Sequence, residues 1–327
     1  MNKKRITAYI VSFLVTFIFL VYFLLNLDWV LLSSILAKLR WGWLGLAILT
    51  YLVNILLRAM RFQSLIYSRP VQLRQLIPIS AIHNLLMYLM PAKTGDISYI
   101  MLVKDRLNLP LTEGTATLLA VRFYDFSVIT VVLAGILPII RNDIPEWVLQ
   151  PARIFLLAAS LGIAGVITFL AISSTKKLRG RYKNPVVNRL VAGWNNLIAG
   201  LVEIRNSRSS LRIALLTSGI WLCIYTNNFL IGRSLGADIS YVHIAVISIV
   251  MVPLTLLPLQ GFANVGTHEI GWASVLVAFG YTYDTALAIS VGSHFLLLAS
   301  IVVSAGIVSL IAYAVTRNRQ NIIQEND

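Results

Sequence analysis

The chain has 327 residues, of which 58% are hydrophobic and 12% charged. Its 27 Lys and Arg outnumber 13 Asp and Glu, giving a formal net charge of +14. Soluble domains average about 25% charged residues, so the composition argues against a soluble enzyme, a disordered chain and a soluble nucleic-acid binder, and the basic excess fits a membrane surface. The one cysteine, Cys223, lies in an apolar run and leaves no basis for an intrachain disulfide or a cysteine metal cluster.

The start, Met1-Asn2-Lys3-Lys4-Arg5, leads into an apolar run from Ile6 to Leu25. That run is longer than the apolar part of a signal peptide, and Asn26-Leu27-Asp28-Trp29 holds no small-x-small cleavage site, so it reads as an uncleaved transmembrane helix. Residues 28–40, with Trp29, Lys38 and Arg40, read as an interfacial stretch. Further apolar runs follow at about 42–57, 76–91, 112–140, 152–172, 213–232, 243–258, 262–280 and 285–315.

Two regions are too short to cross as single helices. The run 76–91 is bracketed by Pro78 and Pro91, and 243–258 contains Pro253 and Pro258. Each is followed by a break with glycine, Pro91-Ala92-Lys93-Thr94-Gly95-Asp96 in the first case and Pro258 through Gly266 in the second, then by a weaker apolar segment. Short arms around a Pro/Gly tip predict re-entrant hairpins, whose irregular backbone must face protein or a water-filled cavity. The alternative at each is two ordinary helices joined by a loop.

Charge orients the chain. Residues 176–212 hold nine basic residues opposed only by Glu203, and this segment, like the Lys3-Lys4-Arg5 start, is expected to be cytoplasmic. With both hairpins re-entrant, 21 of the 27 Lys and Arg fall on that side and only Arg122 lies within the membrane. Residues 183–208 could form a basic amphipathic helix on the inner leaflet or a solvated loop. The expected fold is an all-α polytopic membrane protein with about six full spans and two re-entrant helical hairpins. It forms a single transmembrane domain over 1–327, an inverted repeat of about 6–140 and about 152–315 around a basic cytoplasmic loop at 173–212. Inverted repeats with broken helices near the midplane are a transporter architecture.

The polar residues that resist this pattern are the candidate substrate-binding residues. Charge at bilayer depth costs about 2.5 kcal/mol or more by insertion scales and marks function. Arg122 and Asp125 lie three apart on one helix face. Either Arg122 binds a lipid phosphate, whose geometry a guanidinium matches, with Asp125 orienting it, or the two form a structural pair. Arg58 and Arg61 end the second helix, and anchoring at the membrane surface is the favoured reading for either alone. The first tip offers Lys93, Gly95 and Asp96, at an anion-ready helix N-terminus where Asp96 could instead be an N-cap. The second offers Asn264, Gly266, His268 and Glu269, with His294 on the last helix. His and Glu together could carry a proton or position a head group. The competing reading has His268 and Glu269 capping the hairpin and His294 packing between helices, which is favoured for His294. The spacing makes a poor metal site, and no nucleotide-binding motif is present, so no metal or cofactor is expected.

In order and spacing, Arg58-Ala59-Met60-Arg61-Phe62, Pro91-Ala92-Lys93-Thr94-Gly95-Asp96, Arg122-Phe123-Tyr124-Asp125 and Leu257-Pro258 through Gly266-Thr267-His268-Glu269 resemble the lysylphosphatidylglycerol synthase transmembrane-region family. The resemblance spans most of the chain. It departs where the family usually has Glu at Asp96, an acid at Val121, Gly near Asn264, Arg near His268 and Arg on the last helix near His294. The best-known members carry a C-terminal aminoacyltransferase domain that these residues do not include, so the resemblance implies the flippase-like, lipid-translocating half.

The expected function is therefore translocation of an anionic or phosphate-bearing lipid, a phospholipid or a polyprenyl-phosphate-linked glycolipid, across the cytoplasmic (inner) membrane, with both termini cytoplasmic. The alternatives are an intramembrane lipid-modifying enzyme using Asp96, His268, Glu269 and His294, and a non-catalytic membrane partner of a glycosyltransferase or synthase. Membrane lipids are the expected partners, with a lipid-synthesis enzyme and a second copy of the chain as further candidates and no nucleic acid.

Overall fold

The computed structural model describes residues 3–91, 94–142, 144–173, 185–206, 209–256 and 261–326, and every regular element among them is helical. In chain order these are α1 (Lys3–Asn26), α2 (Trp29–Ala37), α3 (Trp41–Leu65), α4 (Leu73–Leu89), α5 (Thr94–Leu107) and α6 (Leu111–Ile140). There follow α7 (Glu146–Ser173), α8 (Pro185–Asn206), α9 (Ser210–Ser234), α10 (Tyr241–Leu256), a 3-10 turn (Phe262–Asn264), α11 (Thr267–Ala278) and α12 (Tyr283–Asn326). By length and hydropathy α3, α6, α7, α9 and α12 can each cross a membrane, and α1 with α2 makes a sixth if taken as one span. Those two are bent by 89°. The bend falls at Asp28, whose carboxylate accepts the Leu31 N–H at 2.9 Å and starts a new helix where the interfacial stretch was expected. None of the apolar window of α7 is buried, leaving Ile154, Leu157 and Leu161 to be covered by lipid tails.

Each short apolar region is a helix, a break and a returning helix. Met90 ends α4 in an extended conformation (φ −82°, ψ 133°), as a residue before proline prefers. Thr94 then starts α5, its hydroxyl donating to Pro91 O at 2.7 Å. The arm returns alongside α4: His83 Nδ1 meets Ser98 Oγ at 3.1 Å, and a Cβ on Gly95 would lie 2.4 Å from Leu86 O. Only glycine permits that approach. In the second region Ala263, Asn264 and Gly266 have φ of 53°, 60° and 89°. These left-handed residues, on either side of Val265, turn the chain into α11, and Gly271 brings that arm against Met251 and Leu254 of α10. The helix α1 braces the tip, with Thr16 Oγ1 accepting the Phe262 N–H at 2.8 Å and Phe19 lying over Gly266. The four arms have 17, 14, 16 and 12 residues. At 1.5 Å per residue they span about 18–26 Å, short of a hydrocarbon core of about 30 Å.

Two further contacts set the frame of the site. Asn54 of α3 donates to Ile220 O of α9 at 3.0 Å, and Asn227 of α9 donates to Ala47 O of α3 at 2.8 Å. Donor and acceptor are seven residues apart on both helices, so exchanging the helices reproduces the contact. The helix α8 forms within the segment expected to be amphipathic. Its Leu197, Leu201 and Ile204 pack into the apolar cluster of the first hairpin, so this apolar face covers protein.

Candidate functional site

A cavity of about 440 Å³ is lined by residues of both hairpins and of the long helices between them. The first half of the chain supplies Arg58 from α3, Asp96 from α5, and Arg122 and Asp125 from α6. The second half supplies Trp221 and Asn228 from α9, Ser248 from α10, Asn264 from the 3-10 turn and His268 from α11.

The charges form a ladder across α3, α5 and α6. Arg122 Nη2 is ion-paired with Asp96 and lies 3.8 Å from Met87 Sδ, while Nη1 is 3.8 Å from Asp125 Oδ2. The nearer partner of Asp125 is Arg61, whose Nη1 donates to Oδ1 at 2.6 Å, and Trp221 Nε1 donates to the same oxygen at 3.2 Å. Arg61 is fully buried, and its Nη1 also reaches Thr217 Oγ1 at 3.3 Å. The reading of Arg61 as a surface anchor is therefore corrected: it sits in the core, held there because Asp125 compensates its charge. Arg58 stays at the cavity, with Nε donating to Asn54 Oδ1 at 2.7 Å. Among the described residues no carboxylate lies within ion-pair distance of Arg58. Three guanidinium groups thus face two carboxylates, and Arg58 carries the surplus positive charge.

The second half holds a different pair. Glu269 Oε2 accepts the Gly266 N–H at 2.7 Å, so it does cap the start of α11. Its Oε1 is 2.6 Å from His294 Nδ1 on α12, with side chains only 5% and 3% exposed. His294 packs buried between helices, as expected, and this bond adds Glu269 as its polar partner there. The His268 ring stacks on His294 at 4.2 Å between centroids and on Trp272 at 5.4 Å. His268 reaches the cavity, with Glu269 and His294 behind it.

Of the residues singled out in the sequence, Arg58, Asp96, Arg122, Asp125, Asn264 and His268 converge on the cavity. Arg61, Glu269 and His294 form a layer behind it, and Gly95 and Gly266 shape the two tips. Lys93 lies outside the described residues, as do Leu257 through Gln260 and the basic run 176–183. Sequence reasoning missed Trp221, Asn228 and Ser248. Asn228 Nδ2 donates to Ser248 Oγ at 3.0 Å, tying α9 to α10 at the cavity wall. The neighbouring asparagines Asn227-Asn228 inside an apolar helix were the available signal. Among the described residues no three His, Cys, Asp or Glu gather as a metal site.

A multi-pass helical membrane protein, with two broken hairpins converging on a charged cavity, is the class these features define. Within that class, the chain belongs to the lysylphosphatidylglycerol synthase TM region family, whose model matches residues 9–313. The family is membrane-associated and related to a lipid synthase, which gives the chain a lipid-related membrane role. No curated protein and no solved structure matches the chain.

Proposed function

We propose that this protein translocates an anionic or phosphate-bearing lipid across the cytoplasmic membrane, with both termini cytoplasmic, and that it acts as a transporter and not as an enzyme. The observation that carries this reading is the surplus guanidinium of Arg58 on a cavity wall that Arg122 shares. A phosphate or other anion supplies the missing negative charge, and arginine can grip it through two parallel N–H donors. Arg122 is 35% exposed on its side chain, so an incoming head group can compete with Asp96 for it. The cavity volume suits a head group. A second cavity of about 360 Å³ is walled mainly by apolar side chains of α6, α7, α10 and α11, among them Leu133, Phe155, Val250 and Ile270. It suits an acyl chain.

The test is a proteoliposome assay that follows a fluorescent anionic phospholipid from one leaflet to the other. Arg122→Ala is expected to keep its fold and lose at least about 30-fold in rate, equivalent to about 2 kcal/mol of charge-assisted contact. Wild-type translocation by Arg122→Ala overturns the assignment. Co-purification of one stoichiometric lipid-synthesis enzyme, with no translocation by the chain alone, replaces it with the partner reading.

A further inference from the structure

The two hairpins place an acid and a base at matching positions. Asp96 is the third residue of α5 and pairs with the twelfth residue of α6, Arg122. Glu269 is the third residue of α11 and pairs with the twelfth residue of α12, His294. The exchange of hydrogen bonds between α3 and α9 sets the same relation in the helices that precede the hairpins. One half therefore carries a base with a permanent charge where the other carries an imidazole, which exists in a neutral and a charged form.

We infer that Glu269 and His294 form a proton-binding site that couples lipid translocation to proton uptake and release, an inference that rests on the translocator reading above. Nδ1–H of a neutral His294 donates to the Glu269 carboxylate at 2.6 Å. Its other nitrogen, Nε2, is buried and has no hydrogen-bond partner among the described residues. A proton added there takes the pair from a net charge of −1 to 0, the charge that Asp96 and Arg122 always have. The cavity is the source of the proton. His268 lines it, stacks on His294 at 4.2 Å and has its own buried Nδ1 without a partner among the described residues.

Protonation adds an ion pair to the hydrogen bond from α12 to α11, and loss of the proton leaves the Glu269 carboxylate held by the neutral Nδ1–H and by the Gly266 N–H. The second tip is then held less tightly against α12. Among the described residues, the other titratable or charged groups at the cavity are Arg58 from α3, Tyr88 from α4, Asp96 from α5, and Arg122 and Asp125 from α6, and Tyr51 of α3 packs in the apolar cluster that holds Leu296 and Leu297 of α12. The cavity walls from α9, α10 and the 3-10 turn present the neutral Trp221, Asn228, Ser248 and Asn264.

The experiment measures translocation of the fluorescent anionic phospholipid in proteoliposomes held at pH 5.5 and at pH 8. It compares wild type, His294→Gln, His294→Arg and the control His243→Gln, which alters a ring stacked on Phe279 away from the cavity. Wild type and His243→Gln are expected to change rate at least about tenfold between the two pH values, equivalent to about 1.4 kcal/mol in barrier. His294→Gln, which keeps a donor to Glu269 without titrating, and His294→Arg, which fixes the charge, are each expected to run at one rate across pH. Equal wild-type rates at both pH values, or the same pH response in the His294 variants, overturn the inference and leave the translocator reading standing. Absence of translocation by wild type at either pH overturns the translocator reading instead. The proton site is then judged in nanodiscs by nitrogen NMR of the four histidines. A His294 signal that does not change between pH 5.5 and 8 overturns it, and one that changes and is lost in His294→Gln supports it.

Discussion

The two acid–base pairs occupy equivalent positions on their hairpins and meet opposite environments. The side chains of Arg122 and Asp96 are 35% and 20% exposed, at the cavity wall. Those of His294 and Glu269 are 3% and 5% exposed, behind it. In the first hairpin the acid holds an arginine that stays accessible from the cavity. In the second it is a latch, since one carboxylate both caps α11 and grips α12. One architecture thus yields a cavity-facing contact and a sealed one, and burial decides which. The same contrast recurs inside the first half, where Asp125 holds the fully buried Arg61 while Asp96 holds the accessible Arg122.

The largest effect should separate those last two acids. Asp125→Ala strands the Arg61 charge in the core, and breaking a buried pair from one side costs about 3–5 kcal/mol. Asp96→Ala frees an arginine that can reach solvent, and accessible ion pairs contribute about 0–1 kcal/mol. Thermal unfolding in detergent should show a collapse of stability for the first and a small shift for the second. Replacing both members of the buried pair, with Arg61→Met and Asp125→Ala together, should recover part of the loss. Equal destabilisation by the two single changes would erase the distinction between a core charge and a cavity-facing one.

A smaller effect should rank the two tips. At Gly95 an added Cβ meets backbone, Leu86 O at 2.4 Å, so the arms of the hairpin must part. At Gly266 it meets the Phe19 ring at 2.0 Å, a side chain that can turn away, although φ of 89° adds about 1–2 kcal/mol of backbone strain for any other residue. Gly95→Ala is therefore expected to lower the melting temperature more than Gly266→Ala does. The reverse order would place the dominant constraint in the turn and not in the packing of the arms.

Helix positions were legible in the sequence because apolar run length and Pro/Gly breaks are local properties. Pro91 announced the end of α4, and the Gly266 turn announced α11. The partners of the charges were not legible. Arg122 and Asp125 are three apart and looked like a pair, yet the closer contacts go to Asp96, 26 residues away, and to Arg61, 64 residues away. Helical spacing places residues on one face but cannot say which helix faces them. Arg61 was read as a surface anchor because it ends an apolar run, and only the arrival of α6 and α9 against α3 buries it. Glu269 and His294 were both singled out, but the bond between them needs α11 to lie along α12.

The smallest and most selective prediction uses the reciprocal asparagines. Asn54→Ala and Asn227→Ala each remove one buried side-chain bond to a carbonyl of the opposite helix, at about 1 kcal/mol apiece. Their melting temperatures should fall equally if the α3–α9 contact is symmetric in energy as it is in geometry. Their activities should not match. Asn54 also accepts the Nε–H of Arg58 at 2.7 Å, which fixes the one cavity arginine without a carboxylate among the described residues. Among the described residues nothing equivalent hangs on Asn227, whose helix presents Trp221 and Asn228 to the cavity instead. Asn54→Ala should therefore slow lipid translocation more than Asn227→Ala at the same loss of stability. Equal slowing would mean that the position of Arg58 does not matter to transport, and the surplus charge would lose its assigned role.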